Sequence, residues 1–293
     1  MRSRSAKMSS VQPLVSTEEL AEAMAGENPP VLVDVRWALT GPPGRLAYQA
    51  GHLPDAVFLD LDRDLAAPPG SGGRHPLPAA EDLQAVLRSA GISAGRRVVA
   101  YDAADGSVAA RAWWLLRWAG HDQVSVLDGG FAAWTAEGRE VTAVVPDPAP
   151  GDIVVRAGSL PVLDAAGAEE LTERGVLLDA RAPQRYRGEV EPVDARPGHV
   201  PGARNAPFAE HLDESGRWRS PAELAEHFAA LGVTGTTPVG AYCGSGVTAC
   251  SVLLALETAG LSAPDRPAAL YAGSWSEWAG QPQRPAALGE SPR

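Results

Sequence analysis

The chain is nearly without cysteine: two thiols in 293 residues, Cys243 and Cys250. A pair seven positions apart cannot staple distant segments, so a disulfide scaffold is excluded and a reducing, cytoplasmic setting is expected. With no histidine or further cysteine beside them the two thiols make a poor zinc site, and neither metal nor cofactor is expected. No run of 18 apolar residues occurs, so no segment is expected to span a membrane. The basic start, Arg2, Arg4 and Lys7, is not followed by the apolar stretch of a secretory signal. Positive charge is scarce too. Lys and Arg number 25 against 36 Asp and Glu, for a net charge of -11 and a sequence pI of about 5.0. That balance leaves no electrostatic footprint for nucleic acid or for an anionic membrane as partner.

What is present is a repeat. With 45% hydrophobic residues the chain has material for two cores. Val31-Leu32-Val33-Asp34-Val35-Arg36 pairs with Val176-Leu177-Leu178-Asp179-Ala180-Arg181, and Gly51-His52-Leu53-Pro54 pairs with Gly198-His199-Val200-Pro201. Arg97 to Asp102 then pairs with Pro238 to Cys243, and Leu127 to Trp134 with Leu270 to Trp278. The partners lie 141 to 147 residues apart, which is a duplicated domain and not a solenoid unit. Each copy alternates short apolar strands with helical patterns such as Ala79 to Ala90 and Ser220 to Leu231, so the fold class is α/β, two tandem domains with parallel sheets flanked by helices. The expected division is 11–140, a linker over 141–159 that includes the Pro-rich Val145-Pro146-Asp147-Pro148-Ala149-Pro150-Gly151, and 160–285.

The chemistry sits in Tyr242-Cys243-Gly244-Ser245-Gly246-Val247-Thr248-Ala249-Cys250. A strand delivers a cysteine into a Gly-rich turn that opens a helix, where inward N–H groups and the helix dipole favour an anionic sulfur. Ala249 holds the place where a cysteine phosphatase has its phosphate-chelating arginine, which argues against phosphatase chemistry. In the first copy Asp102 stands where Cys243 stands in the second, so the first domain is expected to be catalytically silent.

This loop resembles the active-site loop of the rhodanese sulfurtransferases, and the order Cys-Gly-Ser-Gly-Val-Thr is similar to the mercaptopyruvate branch of that family. The resemblance covers the chain from about Leu14 to Trp278. It implies tandem rhodanese-like domains, with Cys243 carrying sulfur as a persulfide and Gly244, Gly246, Val247 and Thr248 lining the donor site. It further implies that Asp62 and His75, from the first domain, poise Ser245 for proton transfer, and that Arg185 grips the donor's carboxylate. A second family arginine is missing: Val193 holds its place, and Arg196, three residues on, is the candidate replacement.

The resemblance implies a small-molecule sulfur donor, 3-mercaptopyruvate in preference to thiosulfate because Gly244 and Ser245 are neutral, and a thiol, thioredoxin or cyanide as acceptor. A persulfide carrier without turnover is the alternative from another class. His52, His199 and the Asp-x-Arg pairs recur in both copies and are expected to be structural, Cys250 and the tryptophans to be core.

Overall fold

The computed structural model describes residues 11–292; Arg2, Arg4 and Lys7 lie outside the described residues. The first domain holds strands β1 (Leu14–Val15), β2 (Val31–Asp34), β3 (Val57–Phe58), β4 (Val98–Tyr101) and β5 (Val124–Leu127); the second holds β6 (Val162–Leu163), β7 (Val176–Asp179), β8 (Arg204–Asn205), β9 (Val239–Tyr242) and β10 (Ala269–Tyr271). Each set forms one parallel sheet, in the orders β1-β5-β4-β2-β3 and β6-β10-β9-β7-β8. The central strands β2, β4, β7 and β9 are buried at every residue. Helices cover both faces, which is why these strands read as short unbroken apolar runs without alternation.

The helices that follow β4 and β9, Ala109–Trp118 and Ala249–Thr258, are the hinge of the architecture. Eight successive residues of each are buried, Ala109 to Leu116 and Ala249 to Leu256. A helix apolar all round must be covered all round. The two pack against each other across the domain boundary, and both are rich in alanine, which keeps them slim. One hydrophobic core therefore runs through both domains, from Val33 and Leu83 to Leu178 and Phe228. Smaller clusters around Trp134 and around Trp275 and Trp278 fill the outer faces of the two sheets.

The segment between the domains is extended and pinned to the first one. Gly151 N–H donates to Arg88 O (2.7 Å), Ile153 N–H to Ile92 O (3.3 Å) and Arg156 N–H to Ala119 O (2.8 Å). A side chain at Gly151 would stand 1.9 Å from Ile92 O, so only glycine passes there.

The repeated polar pairs are structural in both halves. Arg36 lies on Asp34 at 2.7 Å and Arg181 on Asp179 at 2.6 Å, all four buried. His52 stacks on Tyr48 and His199 on Tyr186, with ring centroids 3.9 and 3.7 Å apart, and each Nδ1 lies 2.8 Å from that tyrosine's carbonyl. The helical pattern over Ser220 to Leu231 is the helix Pro221–Ala230, which Ser220 caps with a reciprocal Glu223 contact.

Candidate active site

Strand β9 is central in its sheet, and Cys243 leaves its carboxyl end, the edge where open parallel sheets bind ligands. The turn curls its amides around the sulfur: Gly246 N–H reaches Sγ at 3.1 Å and Ser245 N–H at 3.5 Å. Gly246 has φ +80°, and a Cβ there would stand 2.4 Å from Ala272 O, so no other residue closes this turn. The segment after β10 holds the loop from behind. Cys243 N–H donates to Ser274 Oγ (3.1 Å), Trp275 N–H to Cys243 O (3.0 Å) and Ser276 N–H to Gly244 O (2.9 Å). Ser274 does this at φ +55°, unfavourable for a residue with a side chain and tolerated because its hydroxyl bridges Cys243 N and Tyr271 O. Val247 is buried in the shared core, and Thr248 is half-buried just ahead of the helix Ala249–Thr258.

A polar chain arrives from the first domain. His75 Nδ1 is 2.7 Å from Ser245 Oγ, and His75 Nε2 is 2.8 Å from Asp62 Oδ1. Asp62 lies in the first turn of the short helix Leu61–Asp64 capped by Asp60, and its other oxygen accepts from Trp37 Nε1 at 2.9 Å. Burial lowers the pKa of His75 below the ordinary imidazole value, opposed by Asp62. A neutral ring between these partners donates Nε2–H to the carboxylate and accepts the Ser245 hydroxyl proton at Nδ1. The structure thus brings together Asp62, His75, Ser245 and the Cys243 loop.

Arg185 is no solvated surface arginine. Its guanidinium lies 2.7 Å from Glu191 and 2.9 Å from Asp194, both buried. Gly244 lies under it: a Cβ at that position would be 3.3 Å from Arg185 Nη1. Arg196 corrects an expectation. Its guanidinium donates to four carbonyls, of Trp278, Ala279, Gln281 and Arg284, at 2.7–3.2 Å, and so fastens the C-terminal turn. Its Nε and Nη2 are thus given over to the C-terminal turn, which turns the guanidinium to residues 278–284 and not to the place left by Val193.

Sequence reasoning missed two cations. Arg74 sits where a Cβ on Gly244 would meet its Nη2 at 2.8 Å, and it pairs with Asp194. Arg111 is completely buried in the otherwise apolar start of Ala109–Trp118; it donates to the carbonyls of Leu65, His75, Pro76 and Gly246 at 3.1–3.4 Å. It ties the histidine segment of one domain to the cysteine loop of the other. Burial lowers its pKa, and Cys250 and Cys243 are the neighbours that oppose this. A lone charge in an apolar helix was the signal for Arg111; for Arg74 the only signal was its place beside His75. Cys250 is buried, donates to Gly246 O at 3.4 Å and has its pKa pushed up to about 12 by burial, so it stays a protonated thiol. Among the described residues no group of three His, Cys, Asp or Glu side chains is placed to hold a metal ion.

Comparison with known proteins decides the family: the rhodanese-like domain matches twice, over residues 16–137 and 164–281. The chain belongs to the rhodanese-like domain family. It is 46% identical, over 97% of its length and 100% of the relative's, to the "Probable 3-mercaptopyruvate sulfurtransferase" of Pseudomonas aeruginosa. It is also 39% identical to the thiosulfate sulfurtransferase of Bos taurus, over 90% of this chain and 91% of that one. The crystal structure of a 3-mercaptopyruvate sulfotransferase from Escherichia coli matches this rhodanese-like chain with a TM-score of 0.78 and 31% identity, covering 91% of it and the whole of the other. Relatives of both donor types lie at substantial identity, so overall similarity does not choose the donor; the site must.

Proposed function

We propose that this rhodanese-like chain is a sulfurtransferase that takes sulfane sulfur from 3-mercaptopyruvate onto Cys243 and passes it to a thiol, thioredoxin or cyanide. The observation that carries this reading is the line Asp62–His75–Ser245, with links of 2.8 and 2.7 Å, ending on the loop that cradles Cys243. The Cys243 thiolate attacks the donor's sulfur; an S–S bond forms, the C–S bond breaks, and its electron pair passes to carbon as the enolate of pyruvate. That carbon needs a proton. The neutral His75 takes up, through Ser245, the proton that the donor's thiol gives up as the persulfide forms; Ser245 then hands its hydroxyl proton to that carbon and regains one from the His75 imidazolium, which Asp62 holds and balances. The acceptor's thiolate or cyanide then attacks the outer sulfur, and the Cys243 thiolate leaves.

Donor choice rests on the same atoms. Thiosulfate releases sulfite, which needs neutralising charge and no proton on carbon, whereas a keto acid needs the proton that Ser245 supplies. Arg74 and Arg185 are matched by Glu191 and Asp194, so the anion site offers directed N–H groups without surplus positive charge, which suits a monoanion better than a dianion. The thiosulfate alternative draws on the absent arginine at Val193. The division into 11–140, 141–159 and 160–285 and a cytoplasmic setting, where Cys243 stays reduced, belong to the same proposal.

Steady-state kcat/KM with both donors tests it. Wild type is expected to prefer 3-mercaptopyruvate by at least about tenfold, ~1.4 kcal/mol, with Ser245→Ala depressing mercaptopyruvate turnover far more than thiosulfate turnover. Preference for thiosulfate, with Ser245→Ala neutral, overturns the donor. Absence of turnover with either, while Cys243 still accepts sulfur, makes the chain a carrier.

A further inference from the structure

Two guanidinium groups, one from each domain, converge on Gly244, the residue after the nucleophile. A Cβ built on Gly244 would lie 2.8 Å from Arg74 Nη2 and 3.3 Å from Arg185 Nη1. Both arginines share the buried Asp194, Arg74 through Nη1 and Arg185 through Nη2. On each arginine the nitrogen nearest Gly244 is one not engaged with Asp194. Among the described residues Arg74 Nε is buried without a hydrogen-bond partner, an unmet donor on the same guanidinium.

Arg74 cannot drift from this position. Its own N–H donates to Ser276 Oγ at 3.1 Å, in the segment whose N–H groups hold Cys243 and Gly244. The preceding Gly73, at φ +101°, brings the backbone so near the second domain that a Cβ would stand 2.7 Å from Gly273 O. Two other positions near Arg185 in the chain supply no second arm: Val193 carries no charge, and Arg196 donates to four carbonyls of the C-terminal turn.

We infer that Arg74, supplied by the catalytically silent domain, is the second arm of the donor clamp, so that the donor's carboxylate is held between Arg74 and Arg185 above Gly244. The inference rests on the keto-acid reading given above and adds the residue that sets its specificity. Gly244 keeps the floor of this clamp open, because any side chain there would occupy the space between the two forks. Asp194 serves as the fixed counter-charge that aligns both forks when the site is empty.

Alkylation of Cys243 tests the clamp without any sulfur donor, using iodoacetate and iodoacetamide, reagents of nearly the same size that differ in the carboxylate. In the full-length protein, wild type is expected to react with iodoacetate faster, relative to iodoacetamide, than Arg74→Ala does, with that rate ratio falling at least about tenfold in the variant. Arg74→Ala with Val193→Arg should recover a large part of the ratio, and the KM for 3-mercaptopyruvate should rise in Arg74→Ala while kcat stays within about twofold. A rate ratio unchanged by Arg74→Ala, including one preserved because both reagents slow equally, overturns the inference. A changed ratio with no mercaptopyruvate turnover in wild type upholds the clamp and removes the donor assignment instead.

Discussion

The two domains carry the same loop around different anions. In the first, Asp102 follows β4 and its carboxylate accepts from the N–H groups of Ala104, Gly106, Val108 and Ala109 at 2.9–3.1 Å. In the second, Cys243 follows β9 and its sulfur accepts from Ser245 and Gly246. Even the rear supports match: Phe131 and Ala132 N–H groups hold the carbonyls of Asp102 and Ala103 at 2.9 Å, as Trp275 and Ser276 hold those of Cys243 and Gly244. Six residues separate Asp102 from the helix start at Ala109, and five separate Cys243 from Ala249. The cradle is thus a general anion site built from backbone, and the side chain placed in it decides whether it is inert or reactive. The carboxylate draws on four amides and the sulfur on two.

The strongest way to break the comparison is to make the second loop like the first. Cys243→Asp, and likewise Cys243→Ser, should abolish sulfur transfer, a loss of at least about a thousandfold, with the fold retained by circular dichroism. Mass spectrometry of donor-treated wild type should find one added sulfur on the Cys243 peptide. Cys250→Ser should keep most activity, because that thiol is buried and protonated.

Removing the tie between the domains should come next in size. Arg111→Met leaves four carbonyls without their shared donor and frees His75 from the cysteine loop; kcat/KM should fall about ten- to a hundredfold and stability by about 2–4 kcal/mol in urea titration. Retained activity at full stability would show that the domains register without it.

The first loop should matter to stability alone. Asp102→Ala strands four amides and is expected to cost about 2–3 kcal/mol while kcat/KM stays within about twofold. Burial, and then Asp105, push the pKa of Asp102 up to about 6 from 3.8, against the pull of the amides. The folded state therefore holds a proton that the unfolded chain releases, and this contribution to stability is lost as pH rises from about 4 to about 6. Asp102→Ala should remove that part of the pH dependence, read from urea midpoints across the window.

The smallest effect is a displacement of pH profile. His75 has a lowered pKa in the folded protein, so the unfolded chain protonates first and stability falls as pH drops below about 6.5. Mercaptopyruvate turnover needs the neutral imidazole and should hold to slightly lower pH than a free histidine would allow. Asp62→Ala removes the carboxylate that raises the His75 pKa, so the acid limb of kcat/KM should move further down while kcat drops about tenfold.

Much of this was legible in the sequence, because it is local. Asp34 with Arg36 and Asp179 with Arg181 announced themselves by repeating at the ends of apolar runs, and the cysteine by the glycines that let its turn close. Asp62 and His75 were reachable only through the family resemblance, since nothing near them in the chain says that they face Ser245. Arg196 misled because its neighbours in sequence belong to the site, whereas its guanidinium belongs to the turn at Trp278 to Arg284. Arg74 and Arg111 were overlooked for the converse reason: the partners that tie them to the cysteine domain, Asp194 and Gly246, lie 120 and 135 residues away.

The sequence by itself determined two α/β domains, one loop that carries a cysteine and one copy that carries Asp102 in its place, since strand burial, turn geometry and the identity of a single side chain are properties of short segments. Only the tertiary structure decided that the first domain contributes His75, Asp62, Arg74 and Arg111 to the other's loop. Those contacts depend on how two all-buried helices pack across the domain boundary, and no local period or spacing encodes that docking.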